Sequence, residues 1–405
     1  RGRGATLMSR VLLAWELGLN RGHLTRLLAI AEQLRSDGHS ILVASRDVQS
    51  AASVLGPAGI PFVQAPHLPS GIPLSHRASG YADILLSQGW SDVSTLWGLA
   101  QAWLNLLRMC DPDLIVLDYS PTANLAVRIA EIPAVLVGNG FEIPPATDPL
   151  PSFPGFPWAT QENAAQSERL AVRNANRILE SFHGRPICAL RDLIAGQRAL
   201  LATFPELDHY GPRPDAEYIG PLLGLTRVAT LEWPKGEGPK IFASLRPDTS
   251  RVELILSALA KTGARVICVA TGFSPERLAP FAAKSMRFAS GPVALDALAD
   301  ADLCVTYGAE GTMLSFLMAG VPQLISPWHV ETYMAARRIA EHGLGELYSG
   351  AGGAEGFQET VHQLVANAVM KRRVREFSDR SRGLYSNQAV TLKMLAGAQV
   401  RKRAS

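Results

Sequence analysis

The stretch Asp302-Leu-Cys-Val-Thr-Tyr-Gly-Ala-Glu-Gly-Thr312 decides the fold of this chain. Residues 302–306 form an apolar run of the kind that becomes a buried strand. Gly308 and Gly311 mark a turn, residues 313–319 read as a helix, and Gly320-Val-Pro322 stops it. Strand, glycine turn and helix together present backbone N–H groups to a phosphate. Gly308, Gly311 and Thr312 are therefore candidate phosphate contacts, and Thr312 adds a hydroxyl. A plain Rossmann turn has similar spacing, so the pattern by itself names no ligand.

Working outward, strands are expected at 240–245, 265–270 and 286–288. Helices are expected at 253–261, 295–299, 332–341 and over about 357–396. The first half repeats the alternation. Arg10-Val-Leu-Leu-Ala-Trp15 reads as a strand, Gly18 and Gly22 as turn residues, and Leu24, Leu27, Leu28, Ala31 and Leu34 as one helix face. Asp37-Gly38 stops that helix, and Ile41-Leu-Val-Ala44 is the next strand. This βαβ unit implies a parallel sheet with helices on both faces. Further strands are expected at 61–63, 113–117 and 133–137, and helices at 99–109, 123–130, 161–177 and 186–193. Two segments, 66–98 and 138–158, are irregular and carry several Pro and aromatic residues; long loops of this kind are usually functional or disordered. A Pro- and Gly-rich texture over 205–239 marks a boundary. The fold class is α/β, two Rossmann-like domains facing across a cleft. Its divisions are 8–213, a linker at 214–239, 240–385, and a C-terminal helix and basic tail at 386–405.

Composition excludes several classes. The 405 residues are 47% hydrophobic and 19% charged, enough to bury a large core. A net charge of +3 with dispersed Lys and Arg argues against nucleic acid as a partner. Arg401-Lys-Arg403 reads as solvated, and residues 1–7 lack the apolar core of a signal peptide. No apolar run reaches the roughly 18 residues of a transmembrane span. Four scattered cysteines without a C-x-x-C pattern read as reduced thiols, so the expected location is cytoplasmic.

Two residues of the first half carry acid–base chemistry. His23 follows a strand and a glycine turn at a helix start, where the positive end of the helix dipole favours the neutral imidazole. A neutral imidazole accepts a proton. Asp118 ends another strand of the same sheet. A carboxylate meeting His23 would fix its tautomer and stabilise the imidazolium, as in a catalytic triad. The structural alternatives are a His that caps its own helix and an Asp that caps the next one, with Ser120-Pro121 competing for that role.

At this point the residues resemble a family. Tyr307-Gly-Ala-Glu-Gly-Thr312, Ala319-Gly-Val-Pro322, Pro327, Glu331-Thr332 and Met334-Ala-Ala336 look like the donor signature of GT-B nucleotide-sugar glycosyltransferases. Gly22-His23, Leu28-Ala-Ile-Ala31, Gly38-His39 and Pro112-Asp113 with Asp118 resemble the same family independently. The resemblance covers about residues 9–390, and its nearest subgroup is the bacterial natural-product transferases, akin to UDP-glycosyltransferases. It implies that His23 is the general base and Asp118 its partner. It implies an acceptor domain at 8–213 and a nucleotide-sugar domain at 240–385.

Departures from the family pattern are specific. Tyr307 replaces a His that touches the donor diphosphate, Ala309 replaces a glycine, and Glu310 places a carboxylate at the helix start. Glu331-Thr332 stands where an acidic-Gln pair reads sugar hydroxyls. Ser244-Leu-Arg246 stands where the family has Ser-Phe-Gly, so Arg246 is expected to supply the charge that Tyr307 lacks. The donor set is thus Ser244, Arg246, Tyr307, Gly308, Gly311, Thr312, Glu331 and Thr332. The acceptor set, from the aromatic loops, is Trp90, Phe141 and Phe153.

The resemblance implies an inverting glycosyltransferase taking a UDP- or dTDP-sugar as co-substrate and a largely apolar small-molecule acceptor. No other cofactor is called for, and no metal, since no D-x-D pattern suited to holding one is seen. Oligomeric state stays open, a homodimer included. The alternative is a GT-B protein that has lost donor binding and assists a partner enzyme.

Overall fold

The computed structural model of the chain describes residues 8–18, 21–222, 231–249, 251–291, 293–294 and 298–382. These fall into two compact units, one ending at residue 222 and one spanning 231–382. The helix expected at 295–299 and the tail at 386–405 lie wholly or partly outside the described residues.

In the first unit the described strands are β1 (Arg10–Trp15), β2 (Ser40–Ser45), β3 (Phe62–Gln64), β4 (Leu114–Asp118), β5 (Ala134–Gly138), β6 (Arg198–Leu201) and β7 (Glu217–Tyr218). They are all parallel, in the order β3-β2-β1-β4-β5-β6-β7. Successive side chains of a strand point to opposite faces. Val11, Leu13 and Trp15 accordingly pack with Leu24, Leu27 and Leu28 of the helix Gly22–Ser36. Leu12 and Ala14 pack with Trp103 and Leu104 of the helix Val93–Cys110 and Ala123 of the helix Pro121–Ala130.

In the second unit the strands are β8 (Lys240–Ser244), β9 (Arg265–Val269), β10 (Met286–Ala289), β11 (Leu303–Thr306), β12 (Gln323–Ile325) and β13 (Gly345–Leu347). These too are parallel, in the order β10-β9-β8-β11-β12-β13. Each sheet reverses its strand order beside its first strand, between β1 and β4 and between β8 and β11. Ligands of open α/β sheets collect at the carboxyl ends of the strands at such a point. Trp15 pairs with Asp118 at the first, and Ser244 with Thr306 at the second.

The structure differs from the sequence reading at several places, among them an unexpected β13, helices at Val48–Val54 and Tyr81–Leu85, and the three that follow. β6 was not expected, and β7 falls in the stretch read as linker, so the first sheet extends past residue 213. These are the short last two strands of the sheet, with β7 at its edge, tied by an Arg198–Glu217 ion pair at 2.8 Å and by Tyr218, whose hydroxyl donates to Asp208. The helix expected at 186–193 is mostly irregular chain: Asn176 accepts from Ile187 N at 2.8 Å and Glu168 from Leu190 N at 3.0 Å. Among the described residues that segment is helical only over Asp192–Ala195.

Candidate active site

His23 is the second residue of the helix Gly22–Ser36, whose start has no side-chain cap. His23 therefore does not cap its own helix. Its Nδ1 lies 2.7 Å from Asp118 Oδ1 at the end of β4, and Asp118 is fully buried. The helix after β4 takes its capping carboxylate from elsewhere. Glu16, one residue past β1, accepts from Thr122 N at 2.8 Å and Ala123 N at 3.2 Å. Asp118 is thus not spent on capping that helix. A carboxylate on Nδ1 places the proton there and the lone pair on Nε2. Nε2 faces Gly18, where an added Cβ would stand 2.4 Å away. The ring is stacked on Trp15 at 5.1 Å and Tyr119 at 6.2 Å. Tyr119 holds a left-handed φ of 47°, and its carbonyl accepts from Leu17 N at 2.9 Å. Backbone held in that region costs energy and tends to mark functional sites.

Two partners were not read from the sequence. Arg26 donates from Nη1 to Asp118 Oδ1 at 3.0 Å and to Glu142 Oε2 at 2.6 Å. Glu142 Oε1 lies 3.6 Å from His23 Nδ1, and its Oε2 also accepts from Asn139 N at 2.7 Å. Arg26 had a signal: it is a charge set among Leu24, Leu27 and Leu28, three positions after His23 and on the same side of the helix. Glu142 had none, since it lies in a loop 116 residues from Arg26. His23, Asp118 and Glu142 offer ligand atoms within 4.8 Å of one another. The positive charge already seated among them is the Arg26 guanidinium.

Burial pulls the His23 imidazole down, but the Asp118 and Glu142 carboxylates outweigh it and raise it above its ordinary value. The helix start was expected to act the other way; two adjacent carboxylates override it. The imidazolium's contribution to stability is therefore fully present below the ordinary imidazole value and is lost as pH rises through the raised one. Burial pushes Glu142 up, yet the Arg26 guanidinium and His23 hold it below the usual carboxylate range. Burial carries Glu16 up to about 7 against its backbone hydrogen bonds.

At the second reversal point the donor candidates converge on the ends of β8 and β11. Gly308 follows β11 with φ 97°, and its amide donates to Thr306 Oγ1 at 3.2 Å. The helix Glu310–Met318 starts at Ala309 without a side-chain cap. Gly311, in its first turn, has open space where a Cβ would stand. The Arg246 guanidinium lies 5.9 Å from the Tyr307 ring and 5.0 Å from the Trp328 ring, with its Nε on Asp248 at 3.1 Å. Arg246 is thus beside Tyr307, and shares its charge with Asp248. Glu331 and Thr332 open the helix Val330–Glu341. Thr332 is buried, and its hydroxyl accepts from Trp328 N and His329 N, both at 3.2 Å. That hydroxyl serves the helix start, and a Cβ on Gly308 would lie 2.8 Å from Thr332 Cβ. His329, unread in the sequence, caps this helix by accepting from Thr332 N. Burial and the Arg246 charge bring His329 down to about 4, which keeps it a neutral acceptor.

The acceptor candidates sit in the core. Trp90 is 0% exposed, with its indole N–H on Thr122 Oγ1 at 3.0 Å, and Phe153 is 1% exposed. Phe141 stacks on Phe153 at 5.4 Å and meets Tyr119 edge-on at 6.3 Å. Trp90 and Phe153 therefore brace the aromatic loops and present no open face. A cavity of about 30 Å³ beside Tyr81, Tyr119, Glu142, Ile143 and Leu193 holds little more than a water or two.

Two reversed parallel sheets, one ending in a His–Asp pair and the other in a glycine turn and helix start, are the parts of the GT-B glycosyltransferase architecture. Solved structures agree. The chain resembles CalG4, the calicheamicin glycosyltransferase, with TM-score 0.72 and 19% identity over 96% of this chain and 98% of that one. It resembles the spinosyn rhamnosyltransferase SpnG with TM-score 0.66 and 15% identity over 96% and 100%. It also resembles VinC, solved with dTDP, with TM-score 0.67 and 19% identity over 96% and 98%. Among curated proteins it is similar to a PGL/p-HBAD biosynthesis rhamnosyltransferase of Mycobacterium bovis, 25% identical over 383 residues, 89% of this chain and 80% of the relative. A PGL/p-HBAD biosynthesis glycosyltransferase of Mycobacterium tuberculosis is 23% identical over 295 residues, 68% of each. No protein-family model matches the sequence. No helix among the described residues is long and apolar enough to cross a membrane.

Proposed function

We propose that this protein is an inverting glycosyltransferase that moves a sugar from a nucleotide-diphospho-sugar to a hydroxyl of a largely apolar small molecule. The observation that carries the reading is the buried 2.7 Å contact between His23 Nδ1 and Asp118 Oδ1, which leaves Nε2 as the basic nitrogen. Nε2 takes the proton of the acceptor hydroxyl as its oxygen attacks the anomeric carbon. The bond from that carbon to the diphosphate breaks on the opposite face, and the nucleoside diphosphate leaves with the electron pair. Asp118 stabilises the imidazolium that forms. Amides at the start of the helix Glu310–Met318, with Arg246, stabilise the departing charge.

The dTDP bound to VinC and the rhamnosyl transfer named for two relatives make dTDP-rhamnose the first donor to screen, with UDP-sugars beside it. The test is a donor and acceptor screen by mass spectrometry, followed by His23→Ala. Loss of the base should lower turnover on the order of 10²–10⁴-fold while nucleotide binding persists. Turnover retained in His23→Ala would remove His23 from the role. A protein that only assists a partner enzyme has no use for an intact His23–Asp118 pair; calorimetry with UDP and dTDP separates the two readings, because the assistant binds neither.

A further inference from the structure

The charge balance around His23 goes one step beyond the base assignment, and it rests on that assignment. His23, Arg26, Asp118 and Glu142 are all buried and in mutual reach. His23 and Arg26 converge on one oxygen, Asp118 Oδ1, at 2.7 and 3.0 Å, while Asp118 Oδ2 is buried with no hydrogen-bond partner. Glu142 closes the ring at 2.6 Å from Arg26 and 3.6 Å from His23 Nδ1. With a neutral imidazole the four groups carry two negative charges and one positive. An imidazolium makes the cluster neutral, and buried charges are tolerated when they are paired.

The two partners act in opposite directions. Without Arg26, two uncompensated carboxylates would face the imidazole, which would keep a proton before the acceptor arrives. Without Glu142, Arg26 and Asp118 would already cancel, and the imidazolium would lack a counter-charge. We propose that Arg26 and Glu142 are positioning residues that balance the His23–Asp118 pair, so that the cluster reaches neutrality only on taking the acceptor proton. The other groups against the His23 ring are Trp15 and the Tyr119 phenol from the turn after β4, and Glu16, one residue past β1, is a further buried titratable group in the chain beside Trp15. Burial carries Glu16 up to about 7, so it titrates near neutrality. A Glu16→Gln control is therefore needed.

Imidazole NMR titration of the full chain reads His23 directly, with its signal assigned by its loss in His23→Gln. The pH profile of kcat/KM reads the same group in turnover. Glu142→Gln keeps the side-chain shape and is expected to lower the His23 midpoint by about 1–2 pH units; Arg26→Gln should raise it by a similar amount. Glu16→Gln should leave it in place. The acid limb of kcat/KM should move in step with each midpoint. Should Arg26→Gln not fold, Glu142→Gln decides alone. A His23 midpoint unchanged in Glu142→Gln overturns the proposal, as does one set by Glu16. A midpoint that moves while the rate profile stays put upholds the charge balance and sinks the assignment of His23 as base.

Discussion

Gly18→Ala should disarm His23 without altering it. Gly18 has φ +89°, and a Cβ there would stand 2.4 Å from His23 Nε2 and 3.2 Å from Cδ2 and Cε1. An acceptor hydroxyl must come within about 2.6–3.2 Å of Nε2 to give up its proton. The methyl would occupy that place. The ring cannot yield cheaply, because Asp118 holds Nδ1 and Trp15 and Tyr119 flank its faces. A left-handed φ costs a non-glycine residue about 1–2 kcal/mol. A broken hydrogen bond to a charged group costs about 1.5–3 kcal/mol. If the substitution adds that strain and loses part of that bond, stability falls by about 2–4 kcal/mol. Turnover should fall on the order of 10²–10⁴-fold, as for loss of a general base. Gly22→Ala is the control: nothing lies within 4 Å of its Cβ position, and it starts a helix, where Ala is favoured over Gly. The assays are urea denaturation and kcat/KM by chromatography of the glycosylated product. Gly18→Ala with wild-type turnover would refute the reasoning, because the nitrogen facing Gly18 would then not be the one that takes the proton.

Two further substitutions separate binding from packing. Arg246→Ala should weaken nucleotide diphosphate binding about 10–100-fold, the worth of a charged hydrogen bond. Calorimetry checks it, and an unchanged Kd removes Arg246 from the donor set. Trp90→Ala should destabilise the fold by about 3–5 kcal/mol, as expected for a large aromatic deleted from a core. Chemical denaturation measures this, whereas an acceptor KM that rises with no loss of stability would return Trp90 to the acceptor site.

Much of the fold was legible because the strands that centre each sheet are near-continuous apolar runs, as parallel strands buried on both faces must be. Leu12 to Trp15, Ile115 to Leu117 and Leu303 to Val305 all read correctly. β6 and β7 were not legible: they are short strands at the end of the sheet whose fixing contacts are an ion pair and a phenol hydrogen bond. The His23–Asp118 pair was legible because each residue sits at the end of a strand or the start of the next helix, where topology brings side chains together. Glu142 was not, because only the path of the chain after β5 carries it to Arg26. Trp90 and Phe153 misled for a physical reason. Aromatics in an irregular segment read as a binding surface, yet such a segment needs its own core, and these side chains supply it.

The contact between Gly308 and Thr332 bears on how donor preference could be re-engineered. Gly308, which opens the candidate phosphate turn, leaves no room for a side chain, because Thr332 fills the space, and Thr332 in turn fastens the start of the next helix. If Gly308 seats the diphosphate and Glu331-Thr332 reads the sugar, as the resemblance implies, grip on the one and choice of the other are not independent design variables. A library that randomises Thr332 to change the sugar would also scramble the phosphate seat and return mostly dead clones. One that holds Thr332 and varies Glu331 would explore sugar choice on an undisturbed foundation.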